Sequence, residues 1–214
     1  MKAAAPSRNR AVFFDRDGVL NPEQGYICSP EALHAYPEAA EAVRRVNRSG
    51  WLALVVTNQA GVARGLLDEA TLGRIHARLE AELGQGGARL DGIYYCPHHP
   101  EAGEPPYRQA CECRKPRPGM LRRAAREHRL RLSDCWLITD RLGEVEMMQR
   151  EGGRAALVLT GYGQGELDAQ AAHGGGPRAD LVSPGVLPAV EAILHSRGGE
   201  LPAADPAPAA VEPA

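Results

Sequence analysis

Ala11-Val12-Phe13-Phe14-Asp15-Arg16-Asp17-Gly18-Val19 is a short apolar run that ends in two carboxylates one residue apart and then a glycine. Such a run, rich in Val and Phe, reads as a buried strand, and the carboxyl ends of strands are where open α/β sheets hold ligands. Two carboxylates there suit a hard cation such as Mg²⁺, which takes oxygen ligands and bridges to phosphate, so the pair could supply one ligand and one nucleophile. Asp-Gly is also ordinary turn chemistry, so the rest of the chain decides between the two readings.

Further apolar runs follow at 51–57, 92–95, 135–139 and 155–159, with an edge strand expected at 180–182. Between them lie helical patterns. Pro37 opens one with Ala40, Val43 and Val46 on one face and Gly50 as its stop, and Asp68 caps a second with Leu72, Ile75, Leu79 and Leu83 in period. Pro118 begins a third with Leu121, Ala124 and Ala125 inward, a helical stretch follows Arg141, and 187–195 is the last. His76 is expected on the surface. The glycine-rich stretch 160–165 reads as a loop and, with no Walker lysine after it, is given no phosphate role. Alternating strands and helices predict an α/β fold, a doubly wound parallel sheet. Its strand ends collect Asp15 and Asp17, then Thr57, Asn58, Gln59 and Ala60, then Asp140 and Arg141, with the loop Glu23, Gln24, Gly25, Tyr26 placed to touch a substrate.

The third run leads into Cys96-Pro97-His98-His99-Pro100, and Cys111-Glu112-Cys113 follows within the same loop. Three thiolates and one imidazole (Cys96, His98, Cys111, Cys113) suit tetrahedral structural Zn²⁺ with no open position for catalysis. His99 is the alternative to His98, which is preferred for its symmetry with the C-x-C pair. Zinc binding is worth about 10–16 kcal/mol in small peptides, enough to order a Gly- and Pro-rich loop with little core of its own. Arg114 and Lys115 stand directly after the last thiolate, so the loop would fix two cations: Lys as a point charge for a phosphoryl group, Arg for a bidentate grip on a second part of the substrate.

The chain has 214 residues, 43% hydrophobic and 24% charged, which suits one globular domain. A net charge of −2 gives no basic field for nucleic acid, and no run reaches the roughly 18 apolar residues of a membrane span. The expected organisation is a flexible 1–10, a single domain over 11–196 with the zinc loop at 96–113, and a disordered tail over 197–214. The expected state is a cytoplasmic monomer. Five cysteines, three of them crowded near histidines, point to metal rather than disulfides.

The series Asp15-Arg16-Asp17-Gly18-Val19, Thr57-Asn58, Lys115 and Asp140 resembles the four motifs of the haloacid-dehalogenase-like phosphatases. The long stretches 57–65, 92–100 and 111–116 look like those of its D-glycero-D-manno-heptose-1,7-bisphosphate 7-phosphatase group. The resemblance implies a Mg²⁺-dependent phosphatase of phosphorylated sugars, without a large cap domain, that removes the 7-phosphate through an aspartyl-phosphate. It implies Asp15 as nucleophile, Asp17 as acid and then base, and Asp15, the Asp17 carbonyl and Asp140 as Mg²⁺ ligands. Thr57 and Lys115 would hold the phosphoryl oxygens. Arg114 and the loop Glu23 to Tyr26 would read the sugar, with Asn58, Gln59, Ala60 and Arg141 as further contacts. The chain departs from the pattern at the fourth strand end: Thr139 precedes Asp140 where Gly is usual, Arg141 replaces Lys, Gly143 stands where an acid is common, and Glu144 stands where Asp is usual. A displacement of about 1 Å can cost roughly 100-fold, so a slower rate or a changed substrate is expected. Two alternatives remain at this point: a histidinol-phosphate phosphatase, and a zinc-stabilised binding protein without turnover.

Overall fold

The apolar runs of the sequence pair side by side as β1 (Ala11–Phe14), β2 (Leu52–Asn58), β3 (Gly92–Cys96), β4 (Trp136–Thr139), β5 (Arg154–Val158) and β6 (Leu181–Ser183). The computed structural model describes residues 10–196. Every pairing is parallel and the strand order is β3-β2-β1-β4-β5-β6. The chain thus winds outward from β1 to β3, returns to β4 beside β1, and winds to the other edge. The carboxyl ends of β1 and β4 flank the point where the winding reverses, which is where such sheets open a crevice.

Because side chains alternate along a strand, each strand serves two cores. Val12, Phe14, Val55 and Ile138 face one side, covered by α1 (Ala39–Arg48), α2 (Glu69–Gln85) and α6 (Val186–His195). Ala11, Phe13, Leu54 and Leu137 face the other, covered by α3 (Gly119–His128) and α4 (Leu142–Arg150). Asp68 caps α2, its carboxylate accepting from Thr71 N at 2.7 Å. The segment from β1 to α1 carries one short 3₁₀ turn, Pro30–Ala32, and no separate cap domain stands there. No helix among the described residues is long and apolar enough to cross a membrane.

Two expectations are corrected. His76 is not a surface residue: it is 7% exposed, with its ring 5.5 Å from that of Tyr95. It lies four residues after Leu72 and three before Leu79, so the same period that buries those leucines turns it inward. Burial pushes its pKa down to about 4, and the Arg16 guanidinium adds to the effect. The glycine-rich stretch 160–165 is a loop only at its start, for α5 (Gly163–His173) begins inside it. Only Gly163 of that helix is buried, so no apolar stripe announced it. The expectations for 1–10 and for 197–214 fall, apart from Arg10, outside the described residues.

Candidate active site

The β1 to β4 ladder runs one residue past the strand, with Asp15 N donating to Ile138 O at 2.9 Å, and this aims the Asp15 carboxylate beyond the sheet edge. Its Oδ1 accepts from Arg16 N at 2.7 Å and its Oδ2 meets Lys115 Nζ at 2.7 Å. Lys115 Nζ also donates to Glu144 Oε2 at 2.8 Å, and that same oxygen accepts from Thr139 Oγ1 at 2.8 Å. Burial pushes the Asp15 pKa up to about 7, with Lys115 pulling against it and the Glu144 charge adding to it. Burial alone would lower the Lys115 pKa, but the Asp15 and Glu144 carboxylates outweigh it and the ammonium is held.

Asp140 follows β4. Its Oδ2 accepts from Tyr162 N at 2.9 Å, and burial raises its pKa to about 6. The backbone closes on this carboxylate at Gly18 (φ 79°) and Gly161 (φ 58°), where a Cβ on either would overlap it. Thr160 Oγ1 donates to Gly18 O at 2.6 Å and fixes the two loops together.

The Asp17 carboxylate is held by Arg16 Nη2 at 2.9 Å to each oxygen, by Asn21 Nδ2 at 2.9 Å and by Gln59 Nε2 at 2.9 Å. Gln59 Nε2 donates as well to Thr57 Oγ1 at 2.8 Å, so the Thr57 hydroxyl keeps its own hydrogen for another acceptor. Asn58 ties β2 to the loop that carries the lysine: Nδ2 donates to Lys115 O and Oδ1 accepts from Lys115 N, each at 3.0 Å.

Asp15, Asp17, Thr57, Asn58, Lys115, Asp140 and Glu144 line a cleft of about 190 Å³ together with Glu23, Arg114 and Arg141. Burial raises the Glu23 pKa. Arg114 Nη1 donates to His98 O at 3.2 Å. The Arg141 guanidinium lies 3.5 Å from the Tyr162 ring centroid and 3.3 Å from Glu166 Oε1. A more apolar hollow of about 240 Å³ lies behind Lys115 against Pro100 and Pro116; it has no carboxylate, so the chemistry belongs to the charged cleft. Desolvated carboxylates gathered beside one lysine are a donor set for a hard divalent cation, which restores the ionised form that burial opposes.

Behind the lysine loop, the ligand atoms of Cys96, His98, Cys111 and Cys113 all lie within 4.8 Å of one another. The sulfur separations are 3.1, 3.3 and 3.5 Å, and His98 Nδ1 is 3.3 Å from Cys113 Sγ. A zinc tetrahedron with Zn–S near 2.3 Å has edges of about 3.8 Å, so the set can hold a metal such as zinc with about 0.3 to 0.7 Å of expansion. Burial raises the thiol pKa of Cys96 and of Cys113, and a metal supplies what their thiolates lack. His99 is committed elsewhere, since its Nδ1 accepts from Glu101 N at 3.1 Å and Ala102 N at 2.9 Å.

Of the residues singled out in the sequence, Asp15, Asp17, Glu23, Thr57, Asn58, Arg114, Lys115, Asp140 and Arg141 line one cleft. Gln24, Gly25, Tyr26, Gln59 and Ala60 do not line it. Tyr26 packs under Arg64, 5.8 Å from its ring centroid to the guanidinium, while Gln59 faces Asp17 and Thr57. The sequence marked Thr139 and Glu144 as departures from the family pattern without naming their partners, and gave no role to Tyr162. A threonine closing a strand and an acid in the first turn of the next helix is the signal that could have placed the first two.

A family profile described as HAD-hydrolase-like matches residues 112–189. The D-glycero-beta-D-manno-heptose-1,7-bisphosphate 7-phosphatase of Photorhabdus laumondii is 39% identical over 152 residues, 71% of this chain and 81% of that protein. The enzyme of the same name from Bordetella bronchiseptica is 35% identical over 187 residues, 87% of this chain and 98% of that protein. The crystal structure of D,D-heptose 1,7-bisphosphate phosphatase from B. bronchiseptica, complexed with magnesium and phosphate, superposes with a TM-score of 0.77 at 34% identity over 87% of this chain and 99% of that one. With relatives this similar over most of its length, and with its carboxylates, lysine and four-ligand cluster at the same sheet edge, the chain belongs to the D-glycero-beta-D-manno-heptose-1,7-bisphosphate 7-phosphatase family of HAD-like phosphatases.

Proposed function

We propose that this protein is a Mg²⁺-dependent phosphatase that removes the 7-phosphate of D-glycero-D-manno-heptose 1,7-bisphosphate. The observation that carries the reading is Lys115 Nζ, 2.7 Å from Asp15 Oδ2, in a cleft shared with Asp17, Thr57 and Asp140, within a chain of this family. Phosphoryl transfer asks mainly for position and charge neutralisation, and these residues supply both.

An Asp15 oxygen attacks phosphorus as the bond from phosphorus to the sugar oxygen breaks. The electron pair leaves with that oxygen, which takes a proton from Asp17. In the second step a water gives a proton to Asp17 and attacks phosphorus, and the bond to Asp15 breaks to restore the carboxylate. Asp17 is oriented for both transfers by Arg16, Asn21 and Gln59. Lys115 and the free Thr57 hydrogen donate to phosphoryl oxygens. Asp15, the Asp17 carbonyl and Asp140 would hold Mg²⁺, which neutralises charge on the phosphate and keeps the buried carboxylates ionised.

At about 190 Å³ the cleft is smaller than the roughly 300–1,000 Å³ of an ordinary ligand pocket, so it encloses the reacting end of the sugar and leaves the rest at the rim. Arg114 and Arg141 stand there for the second phosphate. The net charge of −2 favours no nucleic-acid partner, and the three-thiolate set suits the reducing cytoplasm.

Phosphate release from heptose 1,7-bisphosphate and from histidinol phosphate, each with Mg²⁺, tests the reading. Preference for the bisphosphate supports it; preference for histidinol phosphate transfers the chemistry to another substrate, and release from neither rejects it.

A further inference from the structure

The first turn of α4 and the last residue of β4 meet inside the protein rather than at the cleft rim. Thr139 is fully buried and Glu144 is 8% exposed. The Thr139 hydroxyl donates to Glu144 Oε2 at 2.8 Å and accepts from Arg141 N at 3.2 Å, so it is fixed at both ends. Glu144 Oε2 in turn takes a hydrogen from Lys115 Nζ at 2.8 Å. An ammonium has three hydrogens. One goes to Glu144, one to Asp15 at 2.7 Å, and the third is left for the cleft.

We propose that Thr139 and Glu144 act as one positioning unit, in which the Thr139 hydroxyl fixes the Glu144 carboxylate so that Glu144 holds the Lys115 ammonium in place during turnover. This rests on the phosphatase reading given above. When Asp15 bonds to phosphorus it loses the charge that pairs it with Lys115, and Glu144 is then the carboxylate that keeps the ammonium from swinging out. A glutamate side chain has one more rotatable bond than aspartate, and the hydroxyl removes that freedom. Glu144 lines the floor of the cleft and Thr139 lies behind it, and the Thr139 hydroxyl acts through Glu144 on Lys115.

Purified protein with its zinc loaded is compared as wild type, Thr139→Val, Thr139→Ser, Glu144→Ala and the Thr139→Val/Glu144→Ala double variant, with Asp15→Asn as control. Losing the hydroxyl is expected to lower kcat about 10-fold with KM within about 2-fold, and Thr139→Ser to recover most of that loss. Glu144→Ala is expected to lower kcat about 100-fold, since it strips a buried charge of its partner. The double variant should be no slower than Glu144→Ala alone, because without the carboxylate the hydroxyl has nothing to fix. A Thr139→Val rate equal to wild type, or losses that multiply to about 1,000-fold in the double variant, would overturn the proposal. A second readout needs no turnover: the rate at which an amine-reactive reagent labels Lys115, followed by mass spectrometry. It should rise about 10-fold in Thr139→Val and return toward wild type in Thr139→Ser, and equal labelling in all three overturns the proposal. A wild type that releases no phosphate from any substrate fails the phosphatase reading instead, and the labelling result still decides the tether.

Discussion

Two polar clusters flank Lys115, and they are built in opposite ways. The Cys96, His98, Cys111, Cys113 set comes from the last residue of β3 and the loop that follows it, so its ligands are near one another in sequence and the metal draws that loop together. The carboxylate cleft comes from the ends of β1, β2 and β4 and the start of α4, which only the strand order β3-β2-β1-β4-β5-β6 brings together. The first cluster is local and gains its order from an ion. The second is non-local and gains its order from the sheet. Lys115 belongs to both, with its backbone two residues past the last cysteine and its ammonium between Asp15 and Glu144.

The comparison is sharpest where a variant touches one cluster alone. Asp15→Asn removes the nucleophile and leaves the sheet and the metal loop untouched, so turnover should fall by on the order of 10⁴-fold or more with unchanged zinc content and circular dichroism. Substantial residual phosphate release would sink the covalent scheme. Cys111→Ser attacks the other cluster. It should lose zinc and lower kcat about 10- to 100-fold by loosening Arg114 and Lys115, the cost usual for a supporting metal shell. Zinc loss with an unchanged rate would mean that the sheet positions Lys115 unaided.

Asn58 is the joint between the clusters, since its amide clamps both the N–H and the C=O of Lys115. Asn58→Leu should keep zinc and Asp15 in place yet cost about 10-fold in kcat through those two bonds. A rate within about 2-fold of wild type would show that the ammonium's own ion pairs are enough.

The same contrast explains what could be read from the chain. The zinc set was visible in C-x-H and C-x-C spacing, because local ligands leave a local pattern. Asp15, Thr57, Lys115 and Asp140 were visible as polar residues at the ends of apolar runs, and a parallel sheet turns that pattern into a place. The contacts that complete the cleft were hidden. Thr139 and Glu144 bond to each other and to Lys115 across elements, Gly18 and Gly161 make room for Asp140, and Tyr162 lies under Arg141. Such pairings depend on three-dimensional approach and leave no periodicity. α5 was missed for the related reason that it buries almost nothing.

His76 tests a third region, one whose pattern was present but read the wrong way. The native state holds its ring neutral, with a pKa pushed down by burial to about 4 from 6.5. Above pH 6.5 the folded and unfolded chains are both neutral there, and the residue's contribution is fully present. As pH falls from 6.5 toward 4 the unfolded chain binds a proton that the folded one refuses, so stability falls; below about 4 both bind it and the slope ends. Between pH 7 and 5.5 the loss is about 1 kcal/mol. Acid also weakens the zinc cluster, whose ligands must be deprotonated, so wild type alone would confound the two. His76→Phe keeps a ring against Tyr95 and removes the titration, and the difference between the two proteins in urea midpoint across this range isolates the histidine. Parallel pH profiles would mean that a proton reaches the ring in the folded state, and that the face of α2 beneath Tyr95 and Arg16 opens as readily as an exposed surface.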